Sequence, residues 1–226
     1  MQRSRPAGAG STPSKEAAAV PTIDDMPTTD DEIREKYLER AIRELNQLTR
    51  RLQDCSHCPR GNLMPVLGSG HPQADVMLLK FAPTAAEIEE GVAFYGRAGN
   101  ALMKSFKRLG IDPLTVYGTL CVKCPVADPS LAGGECVERI AEEVAIVAPR
   151  LIVIMGERAL ETLNEVGLPL AEPIEARLGE IQPLTPTIEA LCVPDIDDSL
   201  DAEGAKRDFW SAFRALGDWY AELPPY

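Results

Sequence analysis

Four short apolar runs limit what this chain can fold into: DVMLLKF (75–81), VYGTLCV (116–122), RLIVIMG (150–156) and IEALCVP (188–194). The first and third are nearly unbroken Val, Ile, Leu and Met, the pattern of strands covered on both faces. Between the runs lie stretches with helical spacing, GNALMKSFKRLG, CVERIAEEVAIVA and ERALETLNEV, and AKRDFWSAFRALGDWYAEL closes the chain. Strand alternating with helix implies a parallel sheet covered by helices. The expected fold is a three-layer α/β/α sandwich around a central, mostly parallel four-stranded sheet. Ligands in such sheets bind outside the carboxyl ends of the strands. Phe81, Leu120, Gly156 and Asp195 fall at or just past those ends.

Ahead of the first run, Thr29 and Asp30 offer a cap for the helix DEIREKYLERAIRELNQLTRRL. Ile33, Tyr37, Ala41, Leu45, Leu48 and Leu52 form one stripe on it, and it delivers the chain to Cys55. Residues 1–30 are rich in Gly, Pro, Ser, Thr and Ala. They bury too little to offset ordering entropy, so a disordered tail is expected before one folded domain, 31–226. An apolar content of 45% over 226 residues suits a single core.

No apolar run approaches the ~20 residues of a membrane span, and the first residues lack the apolar core of a secretory signal. The expectation is a cytoplasmic protein, a monomer without membrane association. A net charge of −12 disfavours a general polyanion binder and leaves DNA as a weak partner at most.

Six cysteines in a reducing compartment point to metal before disulfide. Cys55-Ser-His-Cys58-Pro is one C-x2-C pair, Cys121-Val-Lys-Cys124-Pro is another, and Cys136 follows in GGEC. Two readings compete. The two pairs could form a four-thiolate zinc site. Alternatively Cys55, Cys58, Cys124 and Cys136 hold an iron–sulfur cluster, while Cys121 and Cys192, inside strand runs, are apolar filler.

The order of a helix into CxxCP, a GxGxPxADVM strand, FxGRAG leading into a helix, a strand ending VKCP, a further Cys and PRxIVxMG resembles the family 4 uracil-DNA glycosylases. These are iron–sulfur members of the uracil-DNA glycosylase superfamily, and the likeness covers roughly residues 50 to 212. It implies a 4Fe–4S cluster on Cys55, Cys58, Cys124 and Cys136, with zinc the alternative. It also implies a base pocket lined by Phe94, Ala82 and Pro83, with Phe94 as the stacking aromatic.

The motifs depart from that family at the pocket. Phe81, in KFAPT, stands where the family carries an acidic residue. Leu120 stands where it reads uracil with an Asn, and Asp195 where it has the His that stabilises the departing base. Only two histidines exist, His57 inside the first cysteine pair and His71 before the first strand. The expected pocket is apolar and narrowed. Asp195, Asp197 and Asp198 read as a solvated acidic loop, and Glu87, Glu89 and Glu90 as an exposed helix face. Arg97, Lys104, Lys107 and Arg108 suit either phosphate contact or a solubilising face.

The reading that follows is an iron–sulfur protein of the superfamily, impaired in uracil excision and serving as a binding or interaction module. The alternative is a DNA glycosylase of altered substrate, using an acid from the Asp195 loop or AAEIEEG. A third is a zinc-stabilised structural protein.

Overall fold

The computed structural model describes residues 29–129, 132 and 134–224. The expected tail lies outside these residues, except for its last two. The chain divides into two compact units, Met1–Lys36 and Tyr37–Tyr226, and the contacts below all lie within the second. Its order is α1 (Asp30–Asp54), β1 (Ser69–Gly70), β2 (Val76–Lys80), α2 (Ala85–Glu90), α3 (Arg97–Leu109) and β3 (Val116–Leu120). Then follow α4 (Gly134–Val147), β4 (Leu151–Met155), α5 (Glu157–Glu165), β5 (Ile181–Pro183), β6 (Glu189–Val193), α6 (Ile196–Ser199) and α7 (Glu203–Ala221).

The sheet runs β1-β3-β2-β4-β6-β5. Its middle four strands are parallel and are the four apolar runs; β1 and β5 add antiparallel edges. The sequence reading missed both edges, which are only two and three residues long and too short to show a period of two. Pro183 sits at the outer edge, where a missing donor is tolerated.

Alternation along the strands feeds two cores. On one face Val76, Leu78, Leu120, Val153, Met155 and Val193 pack against α3 and α7 through Leu102, Phe106, Phe209 and Phe213. On the other, Met77, Leu79, Ile152, Ile154 and Cys192 pack against α4 and α5 through Ile140, Val144, Leu160 and Leu163. The stripe on α1 is buried at Ala41, Leu48 and Leu52, whereas Tyr37 is exposed. An Arg51–Glu142 ion pair ties the end of α1 to α4. No helix among the described residues is long and apolar enough to cross a membrane.

Gly118, in the middle of β3, has no side chain because a ring lies on it. A Cβ there would come 2.5 Å from Phe94 Cδ2. Gly118→Ala is therefore expected to displace Phe94 and destabilise by about 1–3 kcal/mol, as overpacking does. Thermal unfolding, with the midpoint falling by roughly 2–12 °C, checks this.

Candidate functional site

The register aligns the last residues of the four parallel strands in one row: Lys80 pairs with Leu120 and with Met155, and Met155 pairs with Val193. From β2 the chain passes to β3 on one side, then crosses back to β4 on the other. The crevice outside β2 and β4 is thus the switch point where α/β sheets take ligands.

Lys80 occupies it. Its side chain is 1% exposed, and its Nζ donates to Glu87 Oε2 at 2.7 Å and to Asp197 Oδ2 at 2.5 Å. The ammonium lies 5.4 Å from the centroid of the Phe94 ring. A buried Lys is stable only when its charge is answered, and here two carboxylates and an aromatic face answer it.

Glu87 is fully buried, against the expectation of an exposed helix face; Glu89 and Glu90 on the same turn are exposed. Its Oε2 accepts from Thr84 N at 2.7 Å and Thr84 Oγ1 at 2.9 Å, and its Oε1 accepts from Phe94 N. Thr84 and Glu87 form a capping box that starts α2. The signal was legible, since Thr-x-x-Glu is that motif. The amide of Phe94 needs this partner: the residue sits at φ 60°, a backbone state that costs a non-glycine residue about 1–3 kcal/mol.

The acidic run after β6 is a short helix, which corrects the reading of it as a solvated loop. Asp195 caps α6, its Oδ1 accepting from Asp197 N at 2.8 Å and its carbonyl from Ser199 Oγ at 2.5 Å. Burial pushes the Asp195 carboxyl above its ordinary range. Asp197 reaches inward to Lys80, Asp198 is exposed, and Asp201 pairs with Arg97 at 2.6 Å. Arg108 stacks over Trp210 of α7, its guanidinium carbon 4.1 Å from the ring centroid.

The apolar pocket anticipated from Phe81 and Leu120 is also corrected. Leu120 is buried in the core that contains Phe94. Phe81, one residue past Lys80, packs on the other core and against the cysteines, with Arg158 3.8 Å from its ring centroid. Strand alternation sends consecutive side chains to opposite faces, so Lys80, not Phe81, enters the crevice. Ala82 packs beside the cysteines and Pro83 is half-buried. Phe94 also walls a cavity of about 510 Å³ under α3, with Gly118 and Phe106. Of the histidines, His57 lies in the first cysteine pair, and the His71 amide bonds Val116 O at the opposite end of β3 from the crevice.

The β3 chain continues past Leu120, where Cys121 N bonds Lys80 O and Val122 N bonds Phe81 O. This carries Cys124 to the flank of the crevice. Cys58, Cys124 and Cys136 converge there, buried, with their sulfurs within 4.8 Å of one another. The Cys124 thiol, bonded to Cys136, lowers the latter to about 5, and the same bond with burial raises Cys124. Three facing buried thiols make a donor set that could hold a metal ion. Cys55 lies outside the trio, half-exposed, its Sγ 3.2 Å from His57 Nδ1. Cys121 and Cys192 point into the α4–α5 core, where burial pushes them up to about 12 and about 11.

A second buried ion pair braces the α4 end of this centre. Glu143 accepts from Lys123 Nζ at 2.8 Å, Thr119 Oγ1 at 2.8 Å and Tyr117 OH at 3.1 Å. Lys123 also donates to Leu120 O at 2.8 Å. With every partner satisfied, the network fixes α4, and hence Cys136, against β3.

A parallel sheet with buried side chains at its switch point, flanked by a buried thiol trio that could hold a metal ion, defines an α/β protein of the three-layer kind. The chain belongs to the uracil DNA glycosylase superfamily, whose family model matches residues 67–203, more than half of it. It is 30% identical over 147 residues to a type-4 uracil-DNA glycosylase of Pyrobaculum aerophilum, covering 62% of this chain and 72% of that one. A type-4 uracil-DNA glycosylase of Archaeoglobus fulgidus is 21% identical over 192 residues, 80% of this chain and 96% of the relative. One from Sulfurisphaera tokodaii is 30% identical over 127 residues, 51% of this chain and 56% of the relative.

Proposed function

We propose that this chain is a metal-braced member of the superfamily that does not excise uracil efficiently and works as a binding module, with DNA a weak partner. One observation carries the reading: Lys80 fills the crevice beside Phe94, where a flipped base would stack. An ammonium alone would favour a departing base anion. Two carboxylates within 2.7 Å of it leave the group at net −1, which opposes negative charge building there. Leu120 adds no hydrogen bond to a base edge.

We assign Cys55, Cys58, Cys124 and Cys136 to a 4Fe–4S cluster, as the motif order supports, with zinc as the alternative. The cluster braces the loops beside the crevice. Purified metal-loaded protein in excess over uracil-containing single- and double-stranded DNA is expected to release no uracil above background. Rapid release would overturn the reading.

Asp197 supports a second reading, because its carboxylate already reaches into the crevice. A glycosylase of altered substrate would use it or Asp195, and base release from a panel of damaged oligonucleotides, abolished by Asp197→Ala or by Asp195→Ala, would select that reading.

A further inference from the structure

The segment from Asp195 to Asp201 crosses from the end of β6 to the start of α7 and is fastened at both ends of the crevice. Inside, Asp197 Oδ2 holds Lys80 Nζ at 2.5 Å; at the rim, Asp201 Oδ1 holds Arg97 at 2.6 Å. Arg97 opens α3, directly after the Phe94 turn. Lys80 and Arg97 are thus each held by a carboxylate of one short segment. The pairs differ in strength: both partners at the rim are 72% exposed, so solvent screens that pair, while Lys80 is 1% exposed. The inner pair is the latch and the outer one the guide.

We propose that the Asp195–Asp201 segment is an internal stand-in for DNA phosphate, a strap whose carboxylates hold the cations that a single DNA strand would meet on entering the crevice. The inference rests on the reading of this crevice as the site that faces DNA. The geometry supports that choice of occupant. Of the segment's four aspartates, Asp197 meets the inner cation and Asp201 the outer one, a single carboxylate to each, while Asp195 caps α6 and Asp198 is exposed. Lys80 keeps Glu87 as a second partner, so releasing Asp197 leaves a balanced pair rather than a bare buried charge.

The test uses the full, metal-loaded chain and a fluorescein-labelled single-stranded DNA oligonucleotide read by anisotropy. The double variant D197N/D201N is expected to bind on the order of tenfold tighter at low salt, with a steeper salt dependence by about one unit of slope. D208N/D218N, two exposed aspartates of α7, makes the same change in net charge and is expected to stay within about twofold of wild type. Adding R97Q to the double variant should cancel much of the gain. D201N alone, at an exposed pair, carries the test if the double variant fails to fold; it is expected to gain about threefold. Amide exchange of residues 196–201 should quicken in the double variant. Affinity no greater than that of D208N/D218N, or no binding at all by the folded variant, overturns the strap. Uracil release by wild-type protein would instead overturn the functional reading and leave the affinity comparison to decide the strap.

Discussion

Cys124→Ser is expected to abolish metal binding at the proposed centre and to lower the thermal midpoint by roughly 8–16 °C. Three buried thiols face one another at this point, brought there by three separate elements. Cys58 follows α1, Cys124 follows β3 and Cys136 lies in the first turn of α4. Binding energy at such a site is folding energy, because the unfolded chain does not present the ligands together. A loss of about 4 kcal/mol corresponds to about 8–16 °C in a domain of this size. The same substitution at Cys136 should act alike. Cys121→Ser, in the opposite core, should weaken packing yet keep the metal. Iron and zinc measured on all three proteins check this. Zinc without iron, lost in Cys121→Ser but retained in Cys136→Ser, would mean that the two C-x2-C pairs hold the metal instead.

Lys80→Met has the second large effect. It leaves Glu87 fully buried with hydroxyl and amide donors but no cation. Breaking a buried pair from one side typically destabilises by about 3–5 kcal/mol, which is roughly 6–20 °C in the unfolding midpoint. The double variant Lys80→Met, Glu87→Gln removes the stranded charge and keeps one acceptor oxygen for Thr84, while the side-chain NH2 replaces the oxygen that accepts from Phe94 N. It should recover part of that loss, since the unpaired buried charge is gone. Thermal or denaturant unfolding of the two variants decides it. Equal destabilisation of single and double variants would show that Glu87 matters for its cap alone.

The four parallel strands, their helices and the three-layer arrangement were legible because apolar runs and helical spacing are local and long enough to read. The edge strands were not, being two and three residues with no period of their own. The thiols illustrate the same division. Spacing and resemblance proposed Cys55, Cys58, Cys124 and Cys136, and the fold converges the last three. It sets Cys55 beside His57, which no spacing rule foretold.

In the crevice, the sequence placed the right turn but chose the wrong side chain. Counting along KFAPT put Phe81 in the pocket, yet the pleat turns Phe81 to the opposite face of the sheet, against the α4–α5 core and Arg158, and sends Lys80 in. Glu87 was taken for solvent-facing because two glutamates beside it are, although Thr84-x-x-Glu87 already marked it as a cap partner.

By itself, then, the sequence determined the class of fold and the superfamily motifs. Only the tertiary structure decided that Lys80 lies buried between Glu87 and Asp197. Apolar periodicity is written between neighbours a few residues apart. The Lys80–Asp197 contact joins residues 117 positions apart, and a pairing of that range exists only once the strands have set β2 beside β4 and β4 beside β6.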